Sequence, residues 1–379
     1  MPDRTIKLLR ELVSIDSVNP SLVPGGSGEN EIAHAILNVM RTAGLDVEIT
    51  EVAPGRPNVV AVLEGRGPGR SLMLCGHTDT VGVQGMESPF DPVERDGQLY
   101  GRGSQDMKGG VAAMLCAAAD LASSGGLSSG RLIVAAIADE EHGSLGAQAL
   151  VKDWRADGAV VTEPTDLKVA VGHKGFSWIE ITTEGRAAHG SRPHEGRDAI
   201  FRMGRVLGRL EKLDCELQQR RPHPIQGTAS LHASIVGGGR ELSTYPDHCV
   251  LQVERRTTSE EPDGVALVEI QTMLAALKLE DQEFGYSTRL ILDRPPFETP
   301  AQHELPQLLL EAVRRIGRKT DRGGVSFWTD AAFLSAAGIP TVVFGPGGNG
   351  LHSLNEYVRV AEVLACRDAL IELARSFCR

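Results

Sequence analysis

Two adjacent carboxylates, Glu140 and Glu141, close the run RLIVAAIADEE, and their type and spacing suggest chemistry. The apolar run before them reads as a buried strand, which leaves the acidic pair at the rim of a sheet. Adjacent side chains there diverge. One carboxylate can then bind a metal while the other faces a reacting water, the division of labour that metal-assisted hydrolysis needs. An isolated acidic pair is ordinarily a solvated loop, but this one has company. SLMLCGHTD delivers His77 and Asp79, GQLYGRGSQDMKGG delivers Asp106, GAVVTEP delivers Glu163, and PTVVFGPGGNGLH delivers His352 after a glycine-rich loop. In open α/β sheets, ligands bind beyond the carboxyl ends of strands, so these residues are expected to converge in one crevice.

Positioning them requires a scaffold, and the hydrophobic periods supply one. Residues 3–14 place Ile6, Leu9 and Val13 on one helical face, and 28–43 repeat the pattern through Ile32, Ile36 and Met40 before Gly44 stops the helix. Strands follow at VEIT, NVVAVL and SLMLC, then the Ala- and Gly-rich helix KGGVAAMLCAAADLA, whose small side chains imply close packing against a neighbour. The strand RLIVAAIA, the helix GAQALVKDW and the strand GAVVT continue an alternation that predicts an α/β fold, a mostly parallel sheet with helices on both faces. The rhythm changes at Lys174-Gly175. FSWIEITTEG alternates like a half-exposed strand, RDAIFRMGRVLGRLEKL places Ile200, Met203, Val206 and Leu210 in helical register, and TASLHASIV, DHCVLQVERR, GVALVEIQTMLAALK and STRLIL complete a β-α-β-β-α-β order. That order predicts a ferredoxin-like α+β unit at 175–293, inserted into a discontinuous domain of 1–174 and 294–379. A helix near 304–316, the strand PTVVF and a last helix carrying Val360, Val363, Leu364, Leu370 and Ile371 return to the first rhythm.

Composition narrows the function class. The chain has 379 residues, 41% hydrophobic and 23% charged, which suits ordered globular domains rather than wholesale disorder. Its formal net charge of -11 argues against nucleic acid as a partner, since phosphate binding relies on clustered Lys and Arg. Six cysteines, never closer than twelve residues, form no C-x-x-C pair and read as reduced cytoplasmic thiols; Cys75 reads as core packing rather than a ligand. MPDRTIKLLRELVSI is amphipathic and charged, neither a signal peptide nor a membrane span. H-E-x-x-H and P-loop motifs are missing and the glycine runs GRGPGR and GRGSQD lack dinucleotide spacing; the carboxylates and histidines above favour water over a serine as nucleophile.

HTDTV, YGRGSQDMKGG, ADEEHGSLGA, VTEPT and FGPGGNGLHSLNE together resemble, in order and spacing, the motifs of the acetylornithine deacetylase, succinyl-diaminopimelate desuccinylase, aminoacylase and carboxypeptidase G family of di-zinc amidohydrolases. The likeness runs from roughly 70 to 357 and implies a zinc-exopeptidase-like catalytic domain with an inserted lid and dimerisation domain. It implies that His77, Asp106 and Glu163 hold one zinc, that Asp106 bridges to a second held by Glu141 and His352, that Asp79 orients His77, and that Glu140 is the general base. Two zinc ions per subunit would clamp a bridging water and lower its pKa toward about 7. Cobalt or manganese can replace zinc at such N and O ligands.

The same resemblance assigns two residues of the inserted unit. His189 in GRAAHGSRPHEG matches a histidine that stabilises the oxyanion, commonly from the partner subunit of a homodimer. Arg256 in QVERRTTSE matches an arginine that holds a substrate carboxylate, a task for its planar fork. The chain departs from the pattern at Ser259, Ser243, Tyr245 and Trp328, where relatives usually carry Pro, Asn, Ile and Gly. These changes fall where substrate would be read, and the Trp328 indole is expected to narrow or cover part of the pocket. The implied activity is hydrolysis of a small carboxylate-bearing N-acyl amino acid. A metallo-carboxypeptidase or dipeptidase is the alternative within the same chemistry, and a non-catalytic binding protein would have lost a ligand or the base.

Overall fold

The computed structural model describes residues 3–300 and 302–379. The chain forms two compact units, one of the chain up to Gly172 with Glu298–Val325 and Thr329–Arg379, the other of His173–Phe297 with Ser326–Trp328. No helix among the described residues is long and apolar enough to cross a membrane.

The first unit is built on a mixed sheet. Its centre is four parallel strands in the order Arg131–Ile137, Ser71–His77, Gly158–Val161 and Thr341–Val343. Arg56–Glu64 and Asp46–Ala53 add antiparallel strands on one side, and Val169–His173 pairs antiparallel on the other. Ser71–His77 and Gly158–Val161 are buried throughout, as continuous apolar runs covered on both faces should be. Their register aligns the strand ends. His77 lies opposite Ile137, and Cys75 lies opposite both Ala135 and Val161, so the chain segments leaving these three strands start from one edge.

Helix Gly109–Ser123 is buried along nearly its whole length. A Cβ on Gly110 would sit 2.0 Å from the Thr162 carbonyl, so glycine is what allows the helix to lie this close to the sheet. The last helix, Val360–Phe377, packs against it. The stripe read from its large residues is rotated in the structure: Val360, Leu364 and Ile371 are half-buried, whereas Ala365, Cys366, Ala369 and Ala374 join Val363 and Leu370 inside. Small residues face the seam because both partners there are small-residue helices. A separate antiparallel sheet of Gly348–Asn349, Tyr357–Arg359, Gln98–Tyr100 and Val93–Arg95 has no counterpart in the sequence reading, since strands of two or three residues carry no readable period.

The second unit has the β-α-β-β-α-β order. Its antiparallel sheet runs Ser230–Gly238, His248–Thr257, Gly175–Glu184, Gly285–Arg294. Helices Ala199–Gln219 and Val265–Glu280 cover one face around Ile179, Met203, Val206, Leu251, Ile270 and Phe284. Ile200 differs from its expected place: it is exposed, and Ala199 takes the inward position beside the Asp198 cap.

Candidate active site

The strand register brings the sequence-selected residues of the first unit together. His77 ends its strand, Glu140 and Glu141 follow the Arg131–Ile137 strand, and Glu163 lies two residues beyond Val161. Asp106 differs from the expected strand end. It sits in a π-type turn, Ser104–Lys108, that opens directly into helix Gly109–Ser123. From there its carboxylate faces two histidines: Oδ1 lies 3.1 Å from His77 Nε2 and Oδ2 lies 3.3 Å from His352 Nε2. Glu163 Oε1 is 3.7 Å from His77 Nε2, and Glu141 Oε2 is 3.2 Å from His352 Nε2. The result is two groups of donor atoms, His77–Asp106–Glu163 and Asp106–Glu141–His352, each within 4.8 Å and sharing Asp106. Glu140 belongs to neither group, with Oε2 4.0 Å from His77 Nε2. His352 reaches its place from a tight loop at φ 58°, following Gly350, where a Cβ would strike the Asn355 carbonyl at 2.3 Å.

This donor set fits divalent cations. Glu141 Oε1 is buried without a hydrogen-bond partner, an expensive state for a carboxylate oxygen unless a cation faces it. Burial, reinforced by Asp106, raises Glu141, and burial with Asp330 and neighbouring carboxylates lifts Glu140 and Glu163 well above their ordinary values. His77 is also carried well above its ordinary value: burial opposes this, but Glu163, Asp106 and Asp79 prevail. Hydrogen bonds to Asp106 and Glu141 push His352 up to about 10. Raised Glu140, Glu141 and Glu163 carboxyls and raised His77 and His352 imidazoles, gathered around an Asp106 that its two histidines hold low, mark a concentration of acidic groups suited to a cation. Oxygen and nitrogen donors without thiolate suit a hard or borderline metal.

Behind the donors lies a buried polar scaffold. Asp79 accepts the Glu140 and Glu141 amides, each at 3.1 Å, and so holds the acidic turn from below. His77 Nδ1 faces Asp79 twice, at 3.0 Å from its carbonyl and 3.5 Å from its carboxylate, which leaves Nε2 for the donor group. Asn19 Nδ2 donates to Asp79 at 2.7 Å and to Asp139 at 3.0 Å. Arg56 donates to Asp139 at 2.9 Å and grips Glu29 with both Nε and Nη2. Asp139 takes a left-handed φ of 71°, uncommon for a non-glycine residue and here secured from three sides.

Residues 73–376 match peptidase family M20/M25/M40. The chain belongs to this family. It is 30% identical to an acetylornithine deacetylase of Photorhabdus laumondii, covering 98% of this chain and 97% of that one. Its fold is that of aminopeptidase PepT from Bacillus cereus, with a TM-score of 0.81 at 19% identity, covering 99% of this chain and 98% of that chain. The YXEP protein of Bacillus subtilis, described as a dinuclear metal binding peptidase of the M20 family, also shares the fold, with a TM-score of 0.73 at 17% identity over 98% of this chain and 97% of that chain. Membership makes this M20 chain a metal-dependent hydrolase of the amidohydrolase and peptidase class, similar to acetylornithine deacetylases.

The second unit of this M20 chain carries the other two sequence-selected residues. Arg255 and Arg256 are adjacent but face opposite sides of their strand. Arg255 is fully buried on Glu261 and Glu269, whereas Arg256 lies over the Phe176 ring, its Cζ 5.6 Å from the centroid, and donates to the Ser326 carbonyl at 3.1 Å. His189 is exposed, with Nδ1 2.8 Å from Ser191 Oγ. Two departures from the family pattern flank it: Ser243 accepts the Gly190 amide at 2.7 Å, and the Tyr245 amide donates to the Ala188 carbonyl at 2.9 Å. Trp328 donates from Nε1 to the Pro295 carbonyl at 3.0 Å and packs edge-on against Phe176. Among residues that sequence reasoning missed, Asp139 and Glu356 stand inside quoted motifs, while Asn19, Glu29 and Arg56 carry no local signal.

Proposed function

We propose that this protein is a zinc-dependent deacylase of small N-acyl amino acids. The observation that supports this most is the Asp106 carboxylate, which offers one oxygen to each of two histidine-centred donor groups. His77, Asp106 and Glu163 would hold one zinc, and Asp106, Glu141 and His352 the second, with cobalt or manganese as substitutes. Bound there, the ions would acidify a water and polarise the amide carbonyl. Glu140, half-buried beside His77 but outside both donor groups, takes the proton from the attacking water and returns it to the departing nitrogen. Burial lifts Glu140 well above its ordinary value, which suits a group that must carry a proton midway through the reaction. Asp79 fixes the His77 ring and the two glutamate amides, so ligand and base move as one piece.

In this reading Arg256 holds the substrate carboxylate and His189 stabilises the oxyanion from the partner subunit of a homodimer. Residues 175–293 then act as lid and dimer surface for the metal-binding domain formed by 1–174 and 294–379. Six free thiols fit a reducing, cytoplasmic setting. The likeness to an acetylornithine deacetylase, at higher identity than any of the peptidase structures above, is what favours deacylation over peptide hydrolysis.

The deciding experiment presents zinc-loaded protein with a panel of N-acetyl, N-formyl and N-succinyl amino acids alongside dipeptides, and measures release of free amine. N-acyl amino acids with a free carboxylate should be turned over fastest. Faster turnover of dipeptides would replace this reading with a peptidase. No turnover of either class, with zinc content verified, would remove the hydrolytic reading of these residues.

A further inference from the structure

We propose that Glu356 is a positioning residue that fixes the shared donor Asp106 by suspending its loop from a single buried carboxylate. Glu356 is 1% exposed and contributes to neither donor group. Its Oε2 accepts from Arg102 Nη1 at 2.7 Å and from the Gly103 amide at 2.9 Å. Its Oε1 accepts from the Gln105 amide at 2.8 Å and from the Asp106 amide at 3.0 Å. Three backbone donors of the turn that carries Asp106 therefore converge on one side chain. No apolar residue could occupy this place without orphaning those amides, and no neutral side chain offers acceptors on both sides.

The carboxylate also joins two separate ligand-bearing segments. Glu356 lies four residues after His352, at the entry to strand Tyr357–Arg359, which pairs with the Gln98–Tyr100 strand that leads to Asp106. Gly101 donates its amide to the Glu356 carbonyl at 3.2 Å, and Arg102 Nη2 donates to the Ser353 carbonyl at 3.1 Å, in the His352 loop. A displacement of the Asp106 turn thus moves against the His352 loop through Glu356 and Arg102. Because the two Asp106 oxygens serve different histidines, tilting this one carboxylate weakens both donor groups together. This inference rests on the reading of Asp106 as a shared metal ligand.

The test uses Glu356→Gln, which preserves size but turns an NH2 group toward two of the four donors. Zinc affinity and stoichiometry are measured on the metal-free proteins by calorimetric titration, with Glu141→Gln as the comparison. Disturbing an outer partner of a metal ligand weakens affinity by about 10- to 100-fold. Glu356→Gln should weaken both zinc equivalents by that amount, whereas Glu141→Gln should weaken one. Glu356→Asp, which keeps the charge, should recover part of the loss. Arg102→Lys provides the answer if Glu356→Gln does not fold, and it should weaken both equivalents by a smaller factor. Wild-type affinity for both equivalents in folded Glu356→Gln, or in Arg102→Lys when the first variant is unfolded, would overturn the positioning role. Wild-type protein that fails to bind two zinc ions would instead overturn the two-metal reading beneath it.

Discussion

Replacing Arg56 by Met tests whether the scaffold behind the acidic turn is an ion-paired unit. The guanidinium is almost wholly buried between Glu29 and Asp139, and Met keeps most of its apolar stem while removing the charge. Breaking a buried pair by deleting one partner costs about 3–5 kcal/mol, because the remaining charge stays desolvated. At about 2–4 °C per kcal/mol for a domain of this size, the metal-free variant should melt roughly 6–20 °C below wild type. Its pH dependence follows from Glu29. Burial already raises this carboxyl, with Asp79 adding to the rise and Arg56 opposing it, so loss of Arg56 must raise it further. A carboxyl whose folded pKa exceeds its unfolded value leaves stability intact below the unfolded value, about 4.3, and removes it as pH rises through the folded one. The melting gap between wild type and Arg56→Met should therefore be widest near about pH 8 and narrow toward about pH 5, read by scanning calorimetry in chelator. Turnover should fall as well, because Asp139 precedes Glu140 and would lose its charged anchor. A shift below about 2 °C, or a gap that widens toward acid, would show that the pair does not carry the turn.

Glu140→Gln should retain both metals yet slow turnover by roughly 10²- to 10⁴-fold, whereas Glu141→Gln should lose one ion; metal analysis beside steady-state rates separates them, and the reverse pattern would exchange their roles. Because His352 is pushed up to about 10 and His77 is raised as well, the metal-free site holds protons that a metal must expel. Zinc uptake should then release protons and tighten as pH rises, measurable in a pH-stat, and uptake without proton release would contradict the protonated cluster. Arg256→Ala should lower kcat/KM for a carboxylate substrate by about 2–5 kcal/mol and abolish the preference for acid over amide forms, so equal rates for both forms on native protein would end its carboxylate role. Mixing His189→Ala with Glu140→Gln under subunit exchange should restore part of the activity if His189 acts across a dimer, and verified mixed dimers without recovery would exclude that arrangement.

How much is readable in the sequence depends on how each residue gets to the site. His77, Glu140, Glu141 and Glu163 stand at or just beyond the ends of buried apolar strands, and a run fully buried on both faces fixes where its end must emerge. Asp106 is legible as a residue of interest but not as part of its turn, because Gln98–Tyr100 is only three residues long and the segment after it has no strand period. The second unit is legible as an order of elements because its central strands Gly175–Glu184 and His248–Thr257 alternate cleanly, whereas Ile200 is misread because a large residue at a helix start can point outward when Ala199 fills the inward position. Arg255 and Arg256 look equivalent in the sequence. Their separation into a buried ion pair and a ring-stacked, partly exposed group needs the strand's alternation to be anchored at a known phase.

The residues that stay hidden share a different physical reason. A metal donor must be one of a few side-chain types, so its chemistry alone narrows the choice of candidates in a bare sequence. A supporting residue works through an acceptor for backbone amides or through a buried pair, and almost any polar side chain qualifies if the fold brings it near. Asn19 reaches Asp79 across 60 residues and Asp139 across 120, and Arg56 reaches Asp139 across 83, so no window of sequence contains both partners. Glu356 shows the intermediate case: it lies within a recognisable motif, yet its four donors begin 250 residues away and become visible only when the short antiparallel sheet sets the two loops side by side. Substitutions at these supporters should therefore disturb the metal donors without touching them, which a search confined to ligand types would never have tested.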